Sequence, residues 1–344
     1  MTDNAVEAPR PLVYGVASAL SPMVRRIVCD NPSSMTGPGT NTYLVGIDEI
    51  VVIDPGPENE QHLDAIAGCG GDRIRWIVLT HTHSDHSPGA AALKERTGAE
   101  VLAFDGGSDE LGNVRVAVDG TLGDKDVIEA TEFHLTALHT PGHASNHLCY
   151  LLNEERTLFS GDHIMEGSTV VIAPPDGDMS AYLASLDRLA RLRPRLRSIA
   201  PGHGHVIDDP LGKIDEYVTH RLEREQQVVT ALRAHGTATI PELVKDILET
   251  ELDAMLPVHA AADIEYLVKE SEVITGRPGR KFVISGADRL VYRIQWHPIG
   301  YKVQRLDDAD TATCTLYMLA AEFHAHSLGE ALRAGQLFTP TVSR

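Results

Sequence analysis

The run His81-Thr82-His83-Ser84-Asp85-His86 constrains this chain more than any other feature. It follows directly on Trp76-Ile77-Val78-Leu79, an apolar segment with the character of a strand buried on both faces. In a loop leaving such a strand, His81 and His83 alternate to one side. Asp85 and His86 turn over the start of a helix expected from Pro88 to Arg96, with Ser87 as its N-cap and Pro88 in its first position. Neutral imidazoles with a carboxylate suit zinc, and also iron or manganese. Two of the four groups can serve one ion and two a second, and the helix N-terminus favours the charge on Asp85. Chance clustering of surface histidines is the bland alternative.

Three later segments weigh against chance: His139-Thr140-Pro141-Gly142-His143, Ser160-Gly161-Asp162-His163 and Pro201-Gly202-His203-Gly204-His205. Each sets a His or Asp in a Gly-containing turn directly after an expected strand, where the backbone can approach a metal closely. Strands are expected at Thr42–Val45, Ile50–Ile53, Glu100–Ala103, Val114–Val118, Phe133–Ala137, His147–Leu152 and Thr157–Ser160. Amphipathic helices are expected at Asp178–Leu192 and Lys213–Ala234. This order predicts two sheets packed face to face with helices outside.

From about Gln226 the texture becomes helix-rich, with short helices expected at Val228–His235, Ile240–Thr250 and Ala260–Glu272, a pattern compatible with a winged-helix unit. Residues 226–275 hold three basic residues, Arg233, Lys245 and Lys269, against nine acidic ones. A face that reads nucleic acid needs the opposite sign, so packing or homodimerisation is the expected role. Residues 278–344 read as strands at Phe282–Ser285, Leu290–Trp296 and Tyr301–Arg305 followed by a helix from Thr313 to Arg333. The formal net charge of the 344 residues is −19, which counts against a polyanionic partner in general. Cys29, Cys69, Cys149 and Cys314 are scattered without a CxxC pair, pointing to reduced thiols and a cytoplasmic address. No signal peptide and no apolar run long enough to span a bilayer is visible.

The order HTHSDH, TPGH, SGD and PGHGH resembles the metallo-β-lactamase superfamily, and Val51-Val52-Ile53-Asp54-Pro55-Gly56 matches its first motif, a strand ending in an Asp that orders neighbouring loops. Gly39-Thr40-Asn41-Thr42-Tyr43-Leu44-Val45 and His220-Arg221-Leu222-Glu223-Arg224-Glu225-Gln226-Gln227 resemble the branch with a C-terminal winged-helix unit, which includes the mitochondrial β-lactamase-like endoribonuclease. The resemblance implies a four-layer αββα sandwich over residues 1–225 and a winged-helix-like unit over 226–277, while the strands and helix expected over 278–344 read as an additional α+β tail. The resemblance also implies one metal ion held by His81, His83 and His143, and a second by Asp85, His86 and His203, with Asp162 bridging the two. Residues 278–344 have no recognised counterpart in that branch.

Two dications close together lower the pKa of a shared water, so hydroxide is available at neutral pH to attack a carbonyl or phosphoryl centre. Asp85 is expected to orient that nucleophile or pass on its proton. The favoured substrate is a small ester, thioester or lactone, in keeping with the acidic composition. The alternatives are an endoribonuclease acting on single-stranded RNA and a non-catalytic binding protein on the same fold. His163, His205 and Tyr182 are each open between substrate contact and structural support, as is Gly37–Asn41 between pocket rim and plain turn. His134, His139, His147, His220, His297, His324 and His326 are expected to be structural or surface residues. Arg188, Arg191, Arg193, Arg195 and Arg197 read as a solvated helix end, with anion recognition as the alternative.

Overall fold

The computed structural model describes residues 11–33, 35–104, 113–167, 169–173 and 175–235, together with four strands between 281 and 315. The chain forms two compact units, Met1–Val218 and Thr219–Arg344.

The first unit carries two sheets. One has seven strands in chain order: β1 (Ser18–Ala19), β2 (Val24–Val28), β3 (Asn41–Val45), β4 (Ile50–Ile53), β5 (Ile74–Val78), β6 (Glu100–Ala103) and β7 (Gly120–Thr121). The other holds β8 (Val127–Glu129), β9 (His134–His139), β10 (Leu148–Leu152), β11 (Thr157–Gly161) and β12 (Ser198–Pro201), with β12 and β8 at its edges. Four helices follow the strands: α1 (Glu60–Gly70), α2 (Gly89–Thr97), α3 (Met179–Ala190) and α4 (Pro210–His235).

Side-chain alternation explains the layering, because successive residues of a strand point to opposite faces. In β4, Val51 and Ile53 join a core with Leu148, Tyr150 and Leu152 of β10, between the two sheets. The intervening Ile50 and Val52 pack with Leu63 and Ile66 of α1 and Leu93 of α2. Cys149 of β10 points the other way, into a core with Tyr182 and Leu186 of α3 and Tyr217 of α4. Three apolar layers separate four structural ones. Strands with cores on both faces carry no polar alternation, which is why β3 and β4 are buried throughout.

The metal motifs all leave the same end. β4 and β5 are parallel, as are β11 and β12, so their C-terminal ends lie together. Parallel strands open loops at that edge, where sites are built.

Several local expectations are corrected. Val114–Val118 is not a strand: Val114 N–H donates to the Thr82 carbonyl at 2.7 Å, so this stretch lies against the histidine loop, and Gly120–Thr121 takes the sheet edge. Ser87 does not cap α2, because its hydroxyl donates to the His83 carbonyl at 3.0 Å; Pro88 occupies the cap position. Val228–His235 is no separate helix but the end of α4, since neither Gly nor Pro interrupts residues 213–235. Thr313–Thr315 lies in a strand, not a helix: β13 (Lys281–Ser285), β14 (Val291–His297), β15 (Gly300–Leu306) and β16 (Thr311–Thr315) form a four-stranded antiparallel sheet. The helices expected at 240–250 and 260–272, and the rest of 316–333, lie outside the described residues. No described helix is long and apolar enough to cross a membrane.

His62 on α1 gives a pH test of this packing. Thr42 Oγ1 donates to the Asp54 carbonyl at 2.5 Å, so it accepts from His62 Nε2 at 2.7 Å. Burial pushes the His62 pKa down to about 4. Below pH 6.5 the unfolded chain takes up this proton and the folded chain does not. The neutral residue's stabilisation is therefore complete above pH 6.5 and is lost as the pH falls from there towards 4. His62→Gln is expected to flatten the fall in unfolding free energy between pH 7.5 and 5 by about 2 kcal/mol. Urea unfolding at the two pH values measures it, and parallel slopes for variant and parent would disprove it.

Candidate metal centre

The seven residues singled out in the sequence converge. His81, His83 and His143 bring one donor atom each to within 4.8 Å of one another, and Asp85, His86, Asp162 and His203 do the same. Asp162 faces both groups. Its Oδ1 lies 3.2 Å from His86 Nε2 and 3.3 Å from His203 Nε2, while Oδ2 lies 3.8 Å from His143 Nε2. Asp85 Oδ2 is 3.2 Å from His203 Nε2 and 3.4 Å from His86 Nε2.

Hydrogen bonds on the far side of each ring decide which nitrogen is free. Asp54 is the hub. Its Oδ1 accepts from Thr80 N–H at 2.7 Å, and its Oδ2 accepts from Thr80 Oγ1 at 2.7 Å and from His86 Nδ1 at 2.9 Å. Because Thr80 Oγ1 gives its hydrogen to Asp54, it accepts from His81 Nδ1 at 2.9 Å. His143 Nδ1 donates to the Val171 carbonyl at 2.7 Å, and His203 Nδ1 to the Gly39 carbonyl at 3.1 Å. Four rings thereby aim Nε2 into the site as a lone-pair donor. The buried Nε2 atoms of His81, His86 and His203, and Oδ1 of Asp162, have no hydrogen-bond partner. His83 Nδ1 stands 3.0 Å from His143 Nε2, two nitrogens converging on one point. Such a donor set fits divalent cations.

The electrostatics agree. Burial, with His86 and His83 close by, holds the His81 pKa well below its usual value. Burial and then His143 bring His83 to about 4. For His86 burial opposes the charge, but Asp85, Asp162 and Asp54 outweigh it and the pKa rises. His203, also buried, is raised by Asp162 to about 9. Burial favours protonation of Asp85, yet His86 and His203 keep its carboxyl well below the usual range. His81 and His83 are thus held neutral, and positive charge belongs beside the carboxylates.

Two glycines permit this crowding. A Cβ at Gly202 would lie 2.7 Å from Asp162 Oδ1 and 2.8 Å from the His86 ring. Gly161, at φ +46°, carries the turn into Asp162, and a Cβ there would lie 2.7 Å from Thr80 Cβ and 2.9 Å from His147 Nε2. A side chain at Gly202 would displace a donor, and one at Gly161 would press on Thr80 and His147, which support the His81 ring.

The centre opens on one side into a pocket of about 430 Å³ lined by His83, Asp85, His143 and Asp162 and by the loop residues Ser33, Met35 and Thr36. The segment Gly37–Asn41 therefore lies next to the rim, and the Gly39 carbonyl ties it to His203. Tyr182 is a core residue: fully buried, it donates to the His163 carbonyl at 2.8 Å. His163 is fully buried against the Tyr182 ring and is not among the pocket residues. His147, stacked on His81 with ring centres 5.1 Å apart, backs the site from within. His205 does not line the pocket. The arginine run stays outside it too. Arg188 binds Asp124 and the His139 carbonyl, and Arg191 binds Asp187. Sequence reasoning missed Thr80 and the Gly39 and Val171 carbonyls, which set the histidine tautomers; backbone acceptors leave no mark in a sequence.

A two-sheet α/β sandwich with this His and Asp cluster at one end defines the class of metallo-hydrolases. Residues 35–203 match the family model of the metallo-beta-lactamase superfamily, a span that contains all seven residues. The chain is 31% identical over 298 residues to the beta-lactamase-like protein 2 homolog of Drosophila melanogaster, covering 83% of this chain and 98% of that one. It is 33% identical over 245 residues to an atrochrysone carboxyl ACP thioesterase of Aspergillus chevalieri, covering 66% and 74%. Among solved structures, a metallo-beta-lactamase family protein of Thermus thermophilus shares the fold, with a TM-score of 0.54 at 22% identity over 67% of this chain and 88% of that one. The chain belongs to the metallo-beta-lactamase superfamily and is a hydrolase. Membership implies the use of divalent metal.

Proposed function

We propose that this hydrolase is dinuclear and acts on small acyl substrates, thioesters foremost, with esters and lactones in the same class. The observation that carries this reading is the shared carboxylate, Asp162, facing both donor groups. On this reading His81, His83 and His143 hold one ion, Asp85, His86 and His203 the other, and Asp162 bridges them; zinc suits the set, as do iron and manganese. Divalent ions bound there supply a water of lowered pKa as nucleophile and Lewis acidity at the electrophile's oxygen.

The chain's own residues do the rest. Asp54 and Thr80 fix the His86 and His81 rings, so the donors need little reorganisation during turnover. Asp85 borders the pocket, where it orients the nucleophile and receives its proton. A carboxylate-rich pocket wall, with no lysine or arginine among its described residues, favours a neutral acyl carbon over a phosphodiester. The relative named as an acyl-carrier-protein thioesterase supports the same choice. Residues 1–225 carry the catalysis on this reading.

Metal-loaded protein offered a panel of acyl thioesters, lactones and single-stranded RNA is expected to hydrolyse thioesters. The activity should be lost on chelation and restored by added metal. RNA cleavage without acyl turnover would overturn the acyl reading. Metal content well below two equivalents after zinc supplementation would overturn the dinuclear one.

A further inference from the structure

We infer that the pocket over the centre selects acyl groups bearing no negative charge, with Asp176 as the specificity-determining carboxylate. The inference rests on the acyl-hydrolase reading above and names the substrate class within it. At about 430 Å³ the pocket admits an acyl chain of several carbons. Its apolar lining comes from Met35, in the loop before β3, and from Val171 and Ala173, in the segment before α3. Met35 is 51% exposed, an apolar side chain that a substrate can cover.

Asp176 completes this lining. Its Oδ1 accepts from Ser145 Oγ at 2.5 Å, and its Oδ2 accepts from Ser145 N–H at 3.3 Å and Asn113 Nδ2 at 3.2 Å. These three donors are neutral, and they orient the carboxylate. No lysine, arginine or histidine pairs with Asp176 among the described residues. The same donors tie together the loop after β9, the segment before β7 and the approach to α3, so the carboxylate cannot swing away without breaking bonds in all three. An acyl chain ending in a carboxylate must bring a further negative charge into the pocket beside this one. Discrimination by repulsion of this kind needs no contact with the favoured substrate at all.

The test compares butyryl and succinyl thioesters of N-acetylcysteamine, which share a four-carbon acyl chain and differ only in the terminal carboxylate, on full-length metal-loaded protein. The butyryl ester is expected to have the larger kcat/KM by about tenfold or more at low ionic strength, and the ratio should shrink as salt rises. Asp176→Asn should reduce the ratio, chiefly by raising succinyl turnover. Met35→Lys, at an exposed position outside the Asp176 hydrogen bonds, should do the same if the asparagine variant fails to fold. A ratio near one in the unmodified protein, or one that neither folded variant changes, overturns the inference while leaving thioester hydrolysis intact. Failure of both thioesters alongside cleavage of RNA overturns the acyl reading and this inference with it.

Discussion

Replacing Asp162 by alanine is expected to lower kcat/KM by about a thousandfold or more, roughly 4 kcal/mol of transition-state stabilisation. The bound metal should fall from two equivalents to one or fewer. The Asp162 carboxylate faces both donor groups. It lies 3.2 and 3.3 Å from the Nε2 atoms of His86 and His203 and 3.8 Å from that of His143. Its charge also offsets the burial that opposes protonation of His86 and His203. Alanine leaves those rings with Asp85 as the one carboxylate the pair still shares among the described residues, and the two proposed metal positions lose the ligand assigned to both. Asp162→Asn keeps the shape but halves the donor capacity and removes the charge, so it should lose nearly as much activity. Metal analysis beside kinetics distinguishes lost binding from lost chemistry, with circular dichroism as the control for folding. An alanine variant that still binds two equivalents and keeps a tenth of the activity would mean that Asp162 bridges nothing.

Much of this site was legible because metal chemistry leaves little freedom of residue type. His81, His83, Asp85 and His86 follow one strand, and His143, Asp162 and His203 sit in Gly-containing turns after three others, so the donors could be read before their geometry. The sandwich was legible for a related reason: β4 and residues 76–78 of β5 are apolar on both faces, and only a sheet covered on both sides accommodates them. What escaped reading is made by tertiary partners. Helix α1 shows only Leu63 and Ile66 as large apolar residues among Ala and Gly, too weak a stripe to announce itself. Strands β1 and β7 are two residues long and exist by pairing with β2 and β6. Ser87 has the composition of a cap, but the His83 carbonyl of the donor loop takes its hydroxyl instead. A local rule gave way where the site needed the group.

Asp54→Asn should separate positioning from ligation. The buried carboxylate touches no proposed metal position, yet it accepts three hydrogen bonds, one of them from His86 Nδ1 at 2.9 Å. Asparagine can still accept from Thr80 N–H through its oxygen. Its amide nitrogen then replaces Oδ2 and presents hydrogens to Thr80 Oγ1 and His86 Nδ1, each of which had donated there. His86 can answer by moving its proton to Nε2, which satisfies Nδ1 as an acceptor. That tautomer removes the lone pair pointing at Asp85 and Asp162, so the donor set loses a member although no donor residue has changed. His81 is affected indirectly, because Thr80 Oγ1 can no longer give its hydrogen to Asp54 while accepting from His81 Nδ1. The expected result is a loss of about 10²- to 10⁴-fold in kcat, with metal affinity weakened first at the position beside Asp85, His86 and His203. Nitrogen-15 chemical shifts of the His86 ring read the tautomer directly, a signal that a merely loosened fold would not produce. If His86 keeps its proton on Nδ1 in the variant and two equivalents of metal bind with parental affinity, Asp54 supports only the fold.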